Sequence, residues 1–128
     1  MVAVPQKEIL IGIIGSDEDS NGFIQTIIEN RGLKTATVSF RNIEEGFDRY
    51  KAFISQYRPH MLVIDIPYLE DWEIVKRMTE SSNAPILLIT CDPNWQKKFV
   101  SDFNRVKLLT KPFDIDHFEH LINDSLSG

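Results

Sequence analysis

The sequence predicts an α/β fold in which a parallel sheet is covered by helices on both faces. Two observations carry that expectation. Short apolar runs alternate with apolar residues at helical spacing, and the alternation repeats five times along the 128 residues. The central runs are apolar at nearly every position, which suits strands buried on both faces rather than strands with one wet face.

The first run, Ile9-Leu-Ile-Gly-Ile-Ile14, reads as a buried strand, and Phe23, Ile24, Ile27 and Ile28 form the helical stripe after it, ended by Gly32. Thr35-Ala-Thr-Val-Ser-Phe40 is shorter and more polar, as an edge strand can be. Ile43, Phe47, Tyr50, Ile54 and Tyr57 recur at helical spacing until Arg58-Pro59. Met61-Leu-Val-Ile-Asp65 is a strongly apolar strand that closes on a carboxylate, followed by the stripe Leu69, Trp72, Val75, Met78. Pro85-Ile-Leu-Leu-Ile-Thr90 is the fourth strand, and Trp95, Phe99, Val100 and Phe103 the fourth stripe, read as core-facing. Val106-Lys-Leu-Leu-Thr-Lys111 is the fifth strand, and Ile115, Phe118, Leu121, Ile122 and Leu126 mark the final helix. Five such units suggest the flavodoxin-like doubly wound sheet, with strand order 2-1-3-4-5. At roughly 100–200 residues per domain, the chain is expected to be one domain over 1–128, its core about 8–126.

Composition narrows the function. Hydrophobic residues are 42% and charged residues 26%, which opposes a disordered or coiled-coil chain. The net charge of −5 disfavours direct nucleic-acid binding. No apolar stretch approaches the ~20 residues of a membrane span. Met1–Glu8 lacks a basic-then-apolar leader, and the lone Cys91 excludes an internal disulfide and suits a reducing compartment, so a cytoplasmic location is expected. Cys91 itself reads as a small packed residue. Asn123-Asp-Ser125 matches a glycosylation triplet by chance in such a chain.

In a sheet of this kind, ligands bind beyond the carboxyl ends of the strands. The strands deliver Gly15-Ser-Asp-Glu-Asp19, Asp65, Thr90 and Lys111 to that rim. A carboxylate directly after Leu-Val-Ile is costly unless paired, solvated or metal-bound, and the same holds for a lysine after Leu-Leu-Thr. A purely structural Asp65–Lys111 ion pair is one reading; convergence of several polar groups on one rim favours a functional site. There is no G-x-x-x-x-G-K-[ST] loop and no G-x-G-x-x-G turn. Asp17-Glu-Asp19 resembles a phosphatase D-x-D only superficially, since the chain is short for that fold and the following residues are Ser20-Asn21.

The ordered set is more specific than any member. An acidic loop follows strand one, Asp65 ends strand three, Thr90 ends strand four, and Leu109-Thr-Lys-Pro-Phe-Asp114 precedes an amphipathic helix. From about Glu8 to Leu126 the chain resembles a response-regulator receiver domain of two-component phosphorelay signalling. The resemblance implies that Asp65 accepts a phosphoryl group from a histidine kinase or phosphotransfer protein, assisted by Thr90 and Lys111. It implies a cis peptide at Lys111-Pro112, a Mg²⁺ cofactor, and an output module or partner protein, or a second copy, meeting the face made by the fourth helix, fifth strand and final helix. It implies no enzyme activity beyond self-phosphorylation and slow autodephosphorylation.

The chain also departs from that pattern. Counting back from Gly32 places Gly15 and Ser16 where the family has its two metal-binding acids, with Asp17 one residue later. A weak Mg²⁺ site is therefore expected from Asp17, Ser16, Asp65 and the carbonyl of Pro67. The loop Asp65-Ile-Pro67-Tyr-Leu-Glu-Asp-Trp72 reads as shortened by two residues, and Leu108 replaces the usual switch aromatic. The alternative reading is a phosphorylation-independent pseudo-receiver that acts through protein contacts. His117 and His120 lie three apart, but beside Asp116 and Glu119 they read as a solvated face. Lys97, Lys98, Arg105 and Lys107 make a basic strip facing the acidic Asp114, Asp116, Glu119 and Asp124.

Overall fold

The computed structural model describes residues 8–40, 42–66, 72–92 and 105–127, without the side chains of residues 43, 44, 72 and 74. Its strands are β1 (Leu10–Gly15), β2 (Lys34–Ser39), β3 (Met61–Asp65), β4 (Ile86–Thr90) and β5 (Val106–Thr110). Its helices are α1 (Glu18–Glu29), α2 (Ile43–Tyr57), α3 (Trp72–Glu80) and α4 (Ile115–Ser127). All five strands are parallel and run in the order β2-β1-β3-β4-β5, as the alternation predicts. The fourth apolar stripe, with Trp95, Phe99, Val100, Phe103, Lys97 and Lys98, lies outside the described residues, as do Pro67 and Leu69.

Strand periodicity divides the core between the two faces of the sheet. Ile11 and Ile13 of β1, Met61 and Val63 of β3, Leu87 and Ile89 of β4, and Leu109 of β5 pack against Ile24, Ile27 and Ile28 of α1 and Phe118 and Ile122 of α4. The intervening Ile14, Leu62, Ile64, Ile86 and Leu88 pack against Tyr50 and Phe53 of α2 and Val75 and Met78 of α3. Alternate residues of a strand point to opposite faces, so a run with no polar member supplies both layers at once. Each fully buried aliphatic side chain contributes about 1.5–3 kcal/mol. Gly12 leaves room for α2 to lie on β1: a Cβ there would meet the Phe53 ring at 2.5 Å.

Local signals end the helices. Asp17 caps α1, its side chain accepting from the N–H groups of Asp19 at 3.0 Å and Ser20 at 3.3 Å. Asn42 caps α2 by accepting from Glu45 N–H at 2.9 Å. α2 stops at Arg58, whose backbone is left-handed at φ 46, ahead of Pro59. The helix stripes are narrower than periodicity alone predicts. Phe23 and Tyr57 are each 50% exposed and Ile115 44%, although all three are read from the sequence as core-facing. The two aromatic rings reach a neighbouring ring: Phe23 lies 6.4 Å from Phe113, and Tyr57 lies 5.1 Å from Phe53.

Candidate functional site

β1 and β3 end side by side, with Gly15 opposite Asp65. Four residues of apolar strand carry Asp65 into the interior, and it is only 1% exposed. A carboxylate desolvated to that degree needs a cation or hydrogen-bond donors. Both come from other elements. Lys111, directly after β5, places Nζ 3.0 Å from Oδ1 and 3.0 Å from Oδ2 of Asp65. The Ser20 hydroxyl of α1 donates to Oδ2 at 2.5 Å and accepts from Lys111 Nζ at 2.9 Å. The three groups thus form a closed triangle on Oδ2. Oδ1 faces the ammonium without hydrogen-bond alignment and is a buried acceptor lacking a donor among the described residues.

Beside this triangle, Asn21 is 2% exposed and wedged against Gly15. Its Nδ2 donates to the Gly15 carbonyl at 3.0 Å and to Ser39 Oγ at 3.4 Å, while its Oδ1 is buried without a donor among the described residues. A Cβ at residue 15 would lie 2.3 Å from Asn21 Oδ1 and 3.2 Å from the Asp65 carbonyl. Glycine at 15 and asparagine at 21 therefore form one arrangement, and any side chain at 15 would displace the amide.

The predicted residues separate into several groups. Asp65 and Lys111 meet. Thr90 ends β4, is 1% exposed, and its Oγ1 accepts from Asp92 N–H at 3.1 Å. The Lys111–Pro112 peptide is cis. Asp17 caps α1 through its Oδ1, and Ser16 is exposed on a separate cleft with Glu18, Ser39, Phe40, Glu45 and Arg49. Leu108 is partly buried against the α2/α3 side of the sheet. Cys91 is exposed rather than packed, because β4 ends one residue before it. It lines an apolar cleft of about 470 Å³ with Ser20, Phe23, Lys111, Pro112 and Phe113. Ser20 and Asn21 were missed as site residues: both look like ordinary first-turn polar residues, and only their position across from β3 gives them a role.

The described residues do not form a carboxylate cage for Mg²⁺. Magnesium demands near-octahedral oxygen ligation with one or two carboxylates and several waters. Among the described residues no cluster of three candidate ligands forms, and Asp65 is the one inward carboxylate, with Oδ2 already held by Ser20 and Lys111.

The complementary charges around the final helix are partly consumed within the fold. Lys107 pairs with Asp124 at 3.8 Å, His120 reaches Asp124 at 3.2 Å, and Arg31 pairs with Glu119 at 2.5 Å. Arg105 donates to the carbonyls of Thr79 and Ala84. Such pairs contribute little stability when exposed, but they reduce the charge offered to a partner.

No family model and no curated protein sequence matches the chain. Solved structures do. The chain is similar to a response-regulator receiver protein from Sinorhizobium medicae, with a TM-score of 0.75 and 15% identity over 97% of this chain and 98% of that one. The receiver domain of a sensor histidine kinase from Pseudomonas aeruginosa, which holds a magnesium ion in its active-site cleft, gives a TM-score of 0.72 and 13% identity over 95% of this chain and 100% of that one. The anti-anti-sigma factor PhyR from Bartonella quintana gives 0.67 and 20% over 95% of this chain, which spans 49% of that protein. The chain therefore has the fold of the response-regulator receiver domains.

Proposed function

We propose that this chain is a receiver module in phosphorelay signalling, with Asp65 as its phosphoacceptor. The observation that carries the reading is a carboxylate 1% exposed at the carboxyl edge of the sheet, held by an ammonium and a hydroxyl from two other elements. An Asp65 oxygen would attack the phosphorus of a phosphohistidine or a small acyl phosphate, and the bond to the leaving group would break. Lys111 and Ser20 stand where negative charge gathers, and preorganised donors there stabilise an in-line transfer. Thr90 would close on the phosphoryl oxygens. A histidine kinase or phosphotransfer protein would supply the group, and an output module or partner would read the altered surface around β5 and α4. A weakly held Mg²⁺ at Asp17 does not belong to this reading, because the α1 cap engages Asp17.

A second reading is favoured by one observation. A side chain at residue 15, where the resemblance expects a metal-binding acid, would collide with the Asn21 amide at 2.3 Å, which fits a pseudo-receiver that signals by contact alone. Intact-mass measurement after incubation with acetyl phosphate, with Mg²⁺ and separately with chelator, decides between them. A single phosphoryl mass gain that is lost in Asp65→Ala supports the first reading. No gain in either condition, together with no response to beryllofluoride, selects the second. A gain that survives in Asp65→Ala shows that another residue is the acceptor.

A further inference from the structure

The buried carboxylate of Asp65 is already neutralised by the chain's own atoms. Lys111 supplies a full charge 3.0 Å from both oxygens, and Ser20 donates to Oδ2 at 2.5 Å while accepting from Lys111 at 2.9 Å. Asp17 is bound into the α1 cap, and a side chain at residue 15 is blocked by Asn21 at 2.3 Å. Two features thus occur together: among the described residues no cluster of three candidate metal ligands forms, and the Ser20 hydroxyl is bonded to the Asp65 oxygen Oδ2. A neutral donor in that position leaves the pair balanced, whereas an added divalent ion would face the Lys111 ammonium at close range, with Asp65 the one buried carboxylate among the described residues to offset both.

We propose that Ser20 is a positioning residue that stands in for the divalent cation, holding Asp65 and Lys111 together and excluding the metal. The proposal rests on Asp65 being the functional carboxylate, but its test does not use phosphorylation.

The full chain, labelled with ¹⁵N, is titrated with Mn²⁺, and paramagnetic broadening of the amides of Gly15, Ser16, Asp17, Asp65 and Ile66 is followed. Wild type and Ser20→Thr, which retains the hydroxyl, are expected to show no saturable broadening at these amides. Ser20→Ala is expected to gain it, with a midpoint at least about tenfold below any residual effect in wild type, as one lost donor to a charged group implies. Saturable broadening in wild type with the midpoint of Ser20→Ala overturns the proposal. So does its absence from both proteins, since the hydroxyl would then not be what excludes the ion. If Ser20→Ala does not fold, Ser20→Gly, which also removes the hydroxyl, is titrated in its place and read in the same way. Failure of the phosphoacceptor reading appears separately, as no mass gain from acetyl phosphate in a protein whose Mn²⁺ response is as expected.

Discussion

The two ends of the sheet make an instructive contrast. At the amino end, Lys51, Arg58, His60, Ser81, Ser82 and Asn83 are among the residues lining an open cleft of about 830 Å³. At the carboxyl end the cleft beside Asp65 and Lys111 is smaller, about 470 Å³, and mostly apolar. The larger cleft carries the weaker chemistry. Arg58 caps the C-terminus of α2, where partial negative charge favours a cation, Lys51 pairs with Asp48 at 3.8 Å, and His60 Nδ1 accepts from Leu10 N–H at 3.1 Å. Arg58 and His60 finish the ends of secondary structure. At the carboxyl end, groups from α1, β3 and the residue after β5 converge on one buried carboxylate and leave acceptor atoms without donors among the described residues. Burial and convergence mark the site, and cleft size does not.

Substitutions at the two ends should therefore differ in size and sign. The largest effect is expected from Lys111→Met, which strands the Asp65 carboxylate. It should destabilise the protein by about 3–5 kcal/mol in urea unfolding, and a loss below about 1 kcal/mol would mean that Asp65 is hydrated in solution. Gly15→Ala comes next, costing about 1–3 kcal/mol through its clash with the Asn21 amide. The double variant with Asn21→Ala should recover much of that loss, and additive single effects would show that the two residues are not one arrangement.

Tyr50 lies in the middle of the molecule and belongs to neither end. Its hydroxyl donates to the Met78 carbonyl at 2.6 Å, and burial pushes the phenol well above its ordinary value of 10.0, against a smaller lowering by Arg105. Above that value the unfolded chain releases the proton while the folded chain keeps it, so stability should fall as pH rises past 10.0. Tyr50→Phe should cost about 0.5–1.5 kcal/mol at neutral pH and flatten the alkaline decline. An unchanged decline would assign it to other groups.

The smallest effect should have the opposite sign. Arg58 holds a left-handed backbone at φ 46 in the helix-ending position that glycine prefers. Arg58→Gly should raise stability by roughly 0.5–1 kcal/mol, with any acetyl-phosphate reaction at Asp65 unchanged. A loss of that reaction would tie the two ends together and undo the contrast.

Much of the carboxyl end was readable in advance. Asp65, Thr90 and Lys111 each close an apolar run, and a polar residue in that position stands out because burying it has a cost. Counting along α1 from Gly32 places Gly15 and Ser16 where the resemblance expects acids. The Ser20 donor to Asp65 was not legible. Ser20 and Asn21 look like solvated residues in the first turn of an amphipathic helix, and nothing local ties a residue at 20 to one at 65. Asp17 is ambiguous for a related reason: an Asp ahead of a helix suits both a metal ligand and a cap, and here its Oδ1 accepts from the N–H groups of Asp19 and Ser20.

The sequence by itself determined the five strands, the helices that the structure describes, the strand order and the two-layered core, because apolar periodicity is a local property that each element carries whole. Only the tertiary structure decided which atoms meet Asp65. That depends on α1, β3 and β5 arriving at one edge of the sheet, where distances of about 3 Å between residues far apart in sequence decide whether a charge is answered by a lysine, a hydroxyl or a metal.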